Sequence, residues 1–127
     1  MATTRTVDAL LKSYPPDVQT VAAAARKQLL RLLPNVEERA DASAPVIAYS
    51  YGSGYRGMVC TLILSKSGVK VGLVRGGDLE DPHRLLQGSG KVHRYVALGS
   101  AADLRRAGVT DLIKQTYAAW QRRTRSA

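Results

Sequence analysis

Apolar residues recur with two different periods along the chain, and the elements change where the period changes. Val7, Leu10, Leu11 and Tyr14 fall at i, i+3, i+4 and i+7, one face of a short helix that starts near Thr6 and stops at Pro15-Pro16. A second helix is expected from Pro16, with Asp17 suited to its first turn. Val18, Val21, Ala22, Ala25, Leu29, Leu32 and Leu33 form its apolar stripe, Arg26, Lys27 and Arg31 fall outside it, and Pro34 ends it. From Asn35 the period becomes two. Val36 to Asp41 is expected as a short polar edge strand and Val46 to Tyr51 as a stronger one, entered through Pro45. Met58 to Leu64 and Val69 to Val74 flank Ser65-Lys66-Ser67-Gly68, a hairpin signal in which Gly68 is expected to supply a positive φ. Asp78 to Gln87 reads as loop plus one helical turn starting at Asp81-Pro82, and Val92 to Leu98 as a last strand. Ala101 to Ala107 then forms a short helix stopped by Gly108. Val109, Leu112, Ile113, Thr116, Tyr117 and Trp120 line one face of a C-terminal helix, with a frayed tail from Arg122 to Ala127.

Helices first, strands in the middle and helices last indicate an α+β fold: a twisted antiparallel sheet of about five strands, packed on one face by N- and C-terminal helices. The chain has 127 residues, 45% of them hydrophobic, which fits a single domain over 1–127 with an ordered core of about 7–120. One cysteine, Cys60, makes no intramolecular bridge, and with only His83 and His93 beside it no zinc-ligand spacing exists. The N-terminal MATTRTVDALLKSYPPD lacks the layout of a secretory signal and no apolar run approaches a membrane span, so a soluble cytoplasmic protein is expected, with no membrane partner.

Charge adds the one unusual quantity. Nineteen Lys and Arg against ten Asp and Glu give a net charge of +9, a balance that draws nucleic acid, anionic metabolites or an acidic protein. The basic residues are spread along the chain and Phe is absent, which disfavours a nucleic-acid stripe with stacking aromatics. Gly52-Ser53-Gly54-Tyr55-Arg56-Gly57 matches a dinucleotide pattern in letters only, because it leads into a strand rather than a helix. Gly88-Ser89-Gly90-Lys91 lacks the upstream glycine and the hydroxyl of a phosphate loop. It does place glycine-rich backbone beside Lys91, His93 and Arg94, a candidate anion cradle made of Gly88, Ser89, Gly90, Lys91, His93 and Arg94. Cys60 lies mid-strand as an expected inert core thiol, the two histidines have no triad partners, and no catalytic residue is assigned. Two acidic groups, Glu37, Glu38 and Asp41, and Asp78, Glu80 and Asp81, offer oxygen ligands to a cation.

Pro34-Asn35-Val36-Glu37-Glu38, Val69 to Leu73, Gly76-Gly77-Asp78-Leu79-Glu80-Asp81-Pro82, Leu85 to Lys91 and Arg94-Tyr95-Val96 resemble the YdhG-like domain-of-unknown-function family. The resemblance covers roughly Val7 to Trp120, and Gly76 to Val96 is its specific part. It implies a small α+β domain with an antiparallel sheet against terminal helices, and through frataxin-type members it implies iron as a cargo. The family often has Glu in the position of Gln87 and an aromatic near Arg75, so this chain carries less acid and more base there.

The resulting expectation is a non-enzymatic domain without a cofactor, monomeric or homodimeric, that binds an anionic small molecule or acidic partner through Gln87 to Arg94. Two alternatives are a frataxin-like iron chaperone using Asp78, Glu80 and Asp81, and a nucleic-acid-associated accessory protein.

Overall fold

A computed structural model of the protein describes residues 2–41, 44–52, 55–88 and 92–126. Two helices, α1 (Ala2–Leu11) and α2 (Pro16–Leu32), precede five strands and a long last helix. The strands are β1 (Glu37–Ala40), β2 (Val46–Ser50), β3 (Met58–Ser65), β4 (Gly68–Leu73) and β5 (Arg94–Leu98), and the last helix is α3 (Ala107–Ser126). Short 3-10 turns occupy Tyr55–Gly57, Gly76–Asp78 and Ala101–Arg105. The five strands form one antiparallel sheet in the order β1-β2-β3-β4-β5, each strand beside its neighbours in sequence.

The pairing register sorts the side chains. Leu64, Val69 and Leu98 form one cross-strand row, Ile47, Leu62, Val71 and Val96 the next, and Tyr49, Cys60 and Leu73 a third. All of them are buried with Val18, Ala22, Ala25 and Leu29 of α2 and Val109, Leu112 and Ile113 of α3. The period-two and 3.6-residue stripes of the sequence thus meet in one core on one side of the sheet. Between Tyr49 and Ser50 the register slips, leaving Val59 as an extra residue on β3. The Val59 carbonyl accepts bonds from the buried Thr116 hydroxyl of α3 and from the Val74 amide, so the bulge is where α3 is tied to the sheet.

Several local expectations are corrected. Strand β5 begins at Arg94 rather than Val92, and Val92 is 47% exposed. The β3–β4 turn needs no positive φ at Gly68: that residue pairs with Ser65 inside the ladder, and Lys66 and Ser67 alone make the turn. No helical turn forms after Asp81. Its carboxylate instead accepts the Leu85 and Leu86 amides, both at 2.9 Å, and its carbonyl accepts the Arg84 amide, which closes a compact loop. Gly108 does not stop a helix but lies in the first turn of α3, where a Cβ would come within 2.8 Å of Leu85 and 2.9 Å of His83. Its bareness admits that loop against the helix. No helix among the described residues is long and apolar enough to cross a membrane.

Candidate functional site

The sequence-predicted anion cradle falls on the stretch that returns to the edge of β5. Ser89, Gly90 and Lys91 lie outside the described residues. Just before them Gln87 forms a two-way backbone bridge with Tyr95, its amide donating at 2.7 Å and its carbonyl accepting at 3.1 Å. Gly88 follows with φ +111, and a Cβ there would sit 3.2 Å from the Tyr95 ring. Gln87 and Gly88 therefore seat Tyr95. His93 is exposed, and its Nδ1 accepts the Arg75 amide at 3.3 Å. Arg94, half-buried, opens β5 opposite Leu73.

Positive charge converges next door. Strand β4 leaves the sheet through Val74 and Arg75, and Arg75 adopts a left-handed conformation, φ 55, before the Gly76–Asp78 turn. From there its side chain lines a hollow of about 200 Å³ together with Arg56, Arg123 and Thr124. Arg56 comes from the turn between β2 and β3, and Arg123 from the last turns of α3. What aligns these distant segments is aromatic: Trp120 stacks on Tyr51 with centroids 4.3 Å apart, and the Tyr51 hydroxyl donates to the Pro34 carbonyl at 2.8 Å. The stack holds the end of α3 beside the β2–β3 connection. Arg75 is shared with Asp78, Nε to Oδ2 at 3.1 Å, whereas Arg56 and Arg123 make no ion pair among the described residues. A broader hollow of about 380 Å³ continues past Arg75 and Arg123 to Arg122, Asp78, Glu80 and Gln115.

The acidic residues behave differently. Asp78 holds Arg75, and the Asp81 carboxylate is engaged by two backbone amides. The Glu80 backbone is gripped at both its amide and its carbonyl by the Gln115 side chain, each bond at 3.0 Å. Among the described residues no group of three or more His, Cys, Asp or Glu side chains is placed to hold a metal ion. In the other acidic group Glu38 takes a bidentate bond from Arg26, at 2.9 and 2.8 Å, and the hydroxyl of fully buried Tyr49 at 2.6 Å, while Glu37 pairs with Arg39. That network ties α2 to β1 and β2. Burial, reinforced by the neighbouring Glu38 carboxylate, pushes the Tyr49 phenol far above its ordinary value. Cys60 is fully buried, and desolvation raises its thiol likewise, away from nucleophilic use.

Spacing alone did not single out Arg56, Arg75 and Arg123, which lie 19 and 48 residues apart in sequence. The available signals were weak ones: Arg75 immediately before Gly76-Gly77, and an Arg122-Arg123 doublet just after the apolar stripe of the last helix. Comparisons with protein-family models, with curated proteins and with solved structures gave no match. The YdhG-like resemblance therefore rests on the sequence motifs themselves.

Proposed function

We propose that the protein is a non-enzymatic binding domain for a small anion, and that the anion is held in the hollow between Arg56, Arg75 and Arg123. One observation carries this reading: arginines from three separate elements line a single small hollow, and two of them have no carboxylate partner among the described residues. Guanidinium forks present paired donors that match phosphate and carboxylate oxygens, and a net charge of +9 raises the local concentration of any anion. The proposal keeps the ligand class expected from the sequence and moves its seat from the 88–94 stretch to the far side of Arg75. A YdhG-like membership with an iron cargo, and separately a nucleic-acid partner drawn by the net charge, are readings to be tested beside it.

Calorimetric titration with pyrophosphate at low salt tests the proposal. The protein is expected to bind saturably, and the double variant Arg56→Glu/Arg123→Glu to bind at least ~10-fold more weakly. Arg56 is exposed and Arg123 half-buried near the end of α3, so the melting temperature should stay within several degrees of the parent, the range of substitutions worth about 1 kcal/mol. Equal affinity in the variant refutes the site. Ferrous iron and a mixed-sequence oligonucleotide, titrated in parallel, separate the alternatives, the oligonucleotide by a steep loss of affinity with salt.

A further inference from the structure

The face of the sheet turned away from the helices carries a second hollow, of about 260 Å³. Its walls are mostly apolar: Met58, Ile63 and Tyr95, with Thr61 between them and His93 and Arg94 where β5 begins. Its floor is Gly72. In the register Thr61 faces Gly72 and Gly72 faces Tyr95, so this outer row runs from a hydroxyl through a bare backbone to an aromatic ring. A Cβ on Gly72 would lie 2.4 Å from the Thr61 hydroxyl oxygen and 3.3 Å from Ile63 Cδ1. The space exists because residue 72 has no side chain. The Tyr95 wall is held in place by Gly88 at its ring edge and by Lys70, whose Nζ lies 4.5 Å from the ring centroid.

We infer that this hollow binds a small aromatic acid, with the ring lying over Gly72 between Ile63 and Tyr95 and the carboxylate directed to the His93–Arg94 rim. Size limits the ligand: a cavity of about 150 Å³ suffices for a benzene ring, and pockets for drug-sized molecules start at about 300 Å³. A hollow of about 260 Å³ suits one ring with a short substituent. Flat apolar walls select the ring, and the charge at the rim selects an acid over a neutral or cationic analogue. The inference does not depend on the arginine hollow, which shares none of these lining residues.

Benzoate titrated into ¹⁵N-labelled full-length protein is the test. Saturable amide shifts are expected at Ile63, Gly72 and Tyr95, with benzyl alcohol at least ~10-fold weaker. The double variant Thr61→Ala/Gly72→Leu sets a branched side chain on the floor while removing the hydroxyl that its Cβ would strike, so it should fold and lose the shifts, and shifts that persist in it overturn the inference. Arg56→Glu/Arg123→Glu should keep them. Loss of the shifts in the arginine variant, but not in the floor variant, would put the acid in the other hollow and overturn this inference while sparing the earlier proposal. Equal binding of benzyl alcohol would overturn the selection for an acid. Shifts at the same amides on raising protein concentration without benzoate would assign the face to a second copy of the chain and overturn it as well.

Discussion

Glu38 stands in a strand otherwise read as a polar edge, yet its carboxylate accepts three side-chain hydrogen bonds. Its two oxygens take both ends of the Arg26 fork and the Tyr49 hydroxyl, and Arg26 also reaches Asp8 of α1 at 3.1 Å. A phenol with zero exposure must find an acceptor, and a carboxylate beside it makes ionisation of that phenol doubly unfavourable. Tyr49→Phe should cost about 1–2 kcal/mol at pH 7, the worth of a hydrogen bond to a charged group. The pH dependence has a definite sign. An unfolded tyrosine ionises near pH ~10 while folded Tyr49 resists it, so this contribution is complete below that pH and shrinks as pH rises above it. Urea unfolding of the parent and the variant at neutral and at strongly alkaline pH should show the gap between them narrowing, and a constant gap would contradict the account.

At the scale of elements, the connection from β4 to β5 is where sequence patterning says least, because its order comes from side-chain bonds to backbone rather than from periodic burial. Asp81 organises it by taking two amides, and Gln115 of α3 clamps it at Glu80. Asp81→Ala should therefore destabilise the protein by about 1–2 kcal/mol by orphaning those part-buried amides. Hydrogen exchange should accelerate at Leu85 and Leu86 while the amides of β3 keep their protection. By contrast the strands β2 to β4 and the helix α2 were legible to within a residue or two, since their stripes are long and each apolar position has a place in the core, while α3 was legible in its apolar face but continues to Ser126, through the stretch expected to fray from Arg122. Gly108 was misjudged for a plain reason: glycine marks both helix ends and close contacts, and only the packed loop of His83 and Leu85 distinguishes them.

Across the whole molecule, the layering of helices against a sheet could be read from the order of periods, while the arginine hollow could not, and of the hollow on the outer sheet face only the His93–Arg94 rim stood out in the sequence. The arginine hollow joins a turn, a strand exit and a helix end that meet beside the Trp120–Tyr51 stack, and no local spacing encodes such a meeting. Linear sequence shows basic residues as evenly spread, and folding concentrates some of them. That concentration, on top of a net charge of +9, opposes the compact state through self-repulsion. The melting temperature should accordingly rise as sodium chloride increases from about 10 mM to 150 mM, because the screening length falls from about 30 Å to 8 Å. A melting temperature that falls instead would show that ion pairs such as Arg26–Glu38 outweigh the repulsion.

Neighbouring strands in this sheet are also neighbours in the chain. The β1–β2, β2–β3 and β3–β4 pairs can each close locally, so little loop entropy is spent on most of the sheet, and only the long connection from Leu73 to Arg94 has to close a wider loop. The same simplicity leaves β1 and β5 as the two borders of the sheet, and the short bridge from Gln87 to Tyr95 acts as a guard on one of them against edge-to-edge self-association.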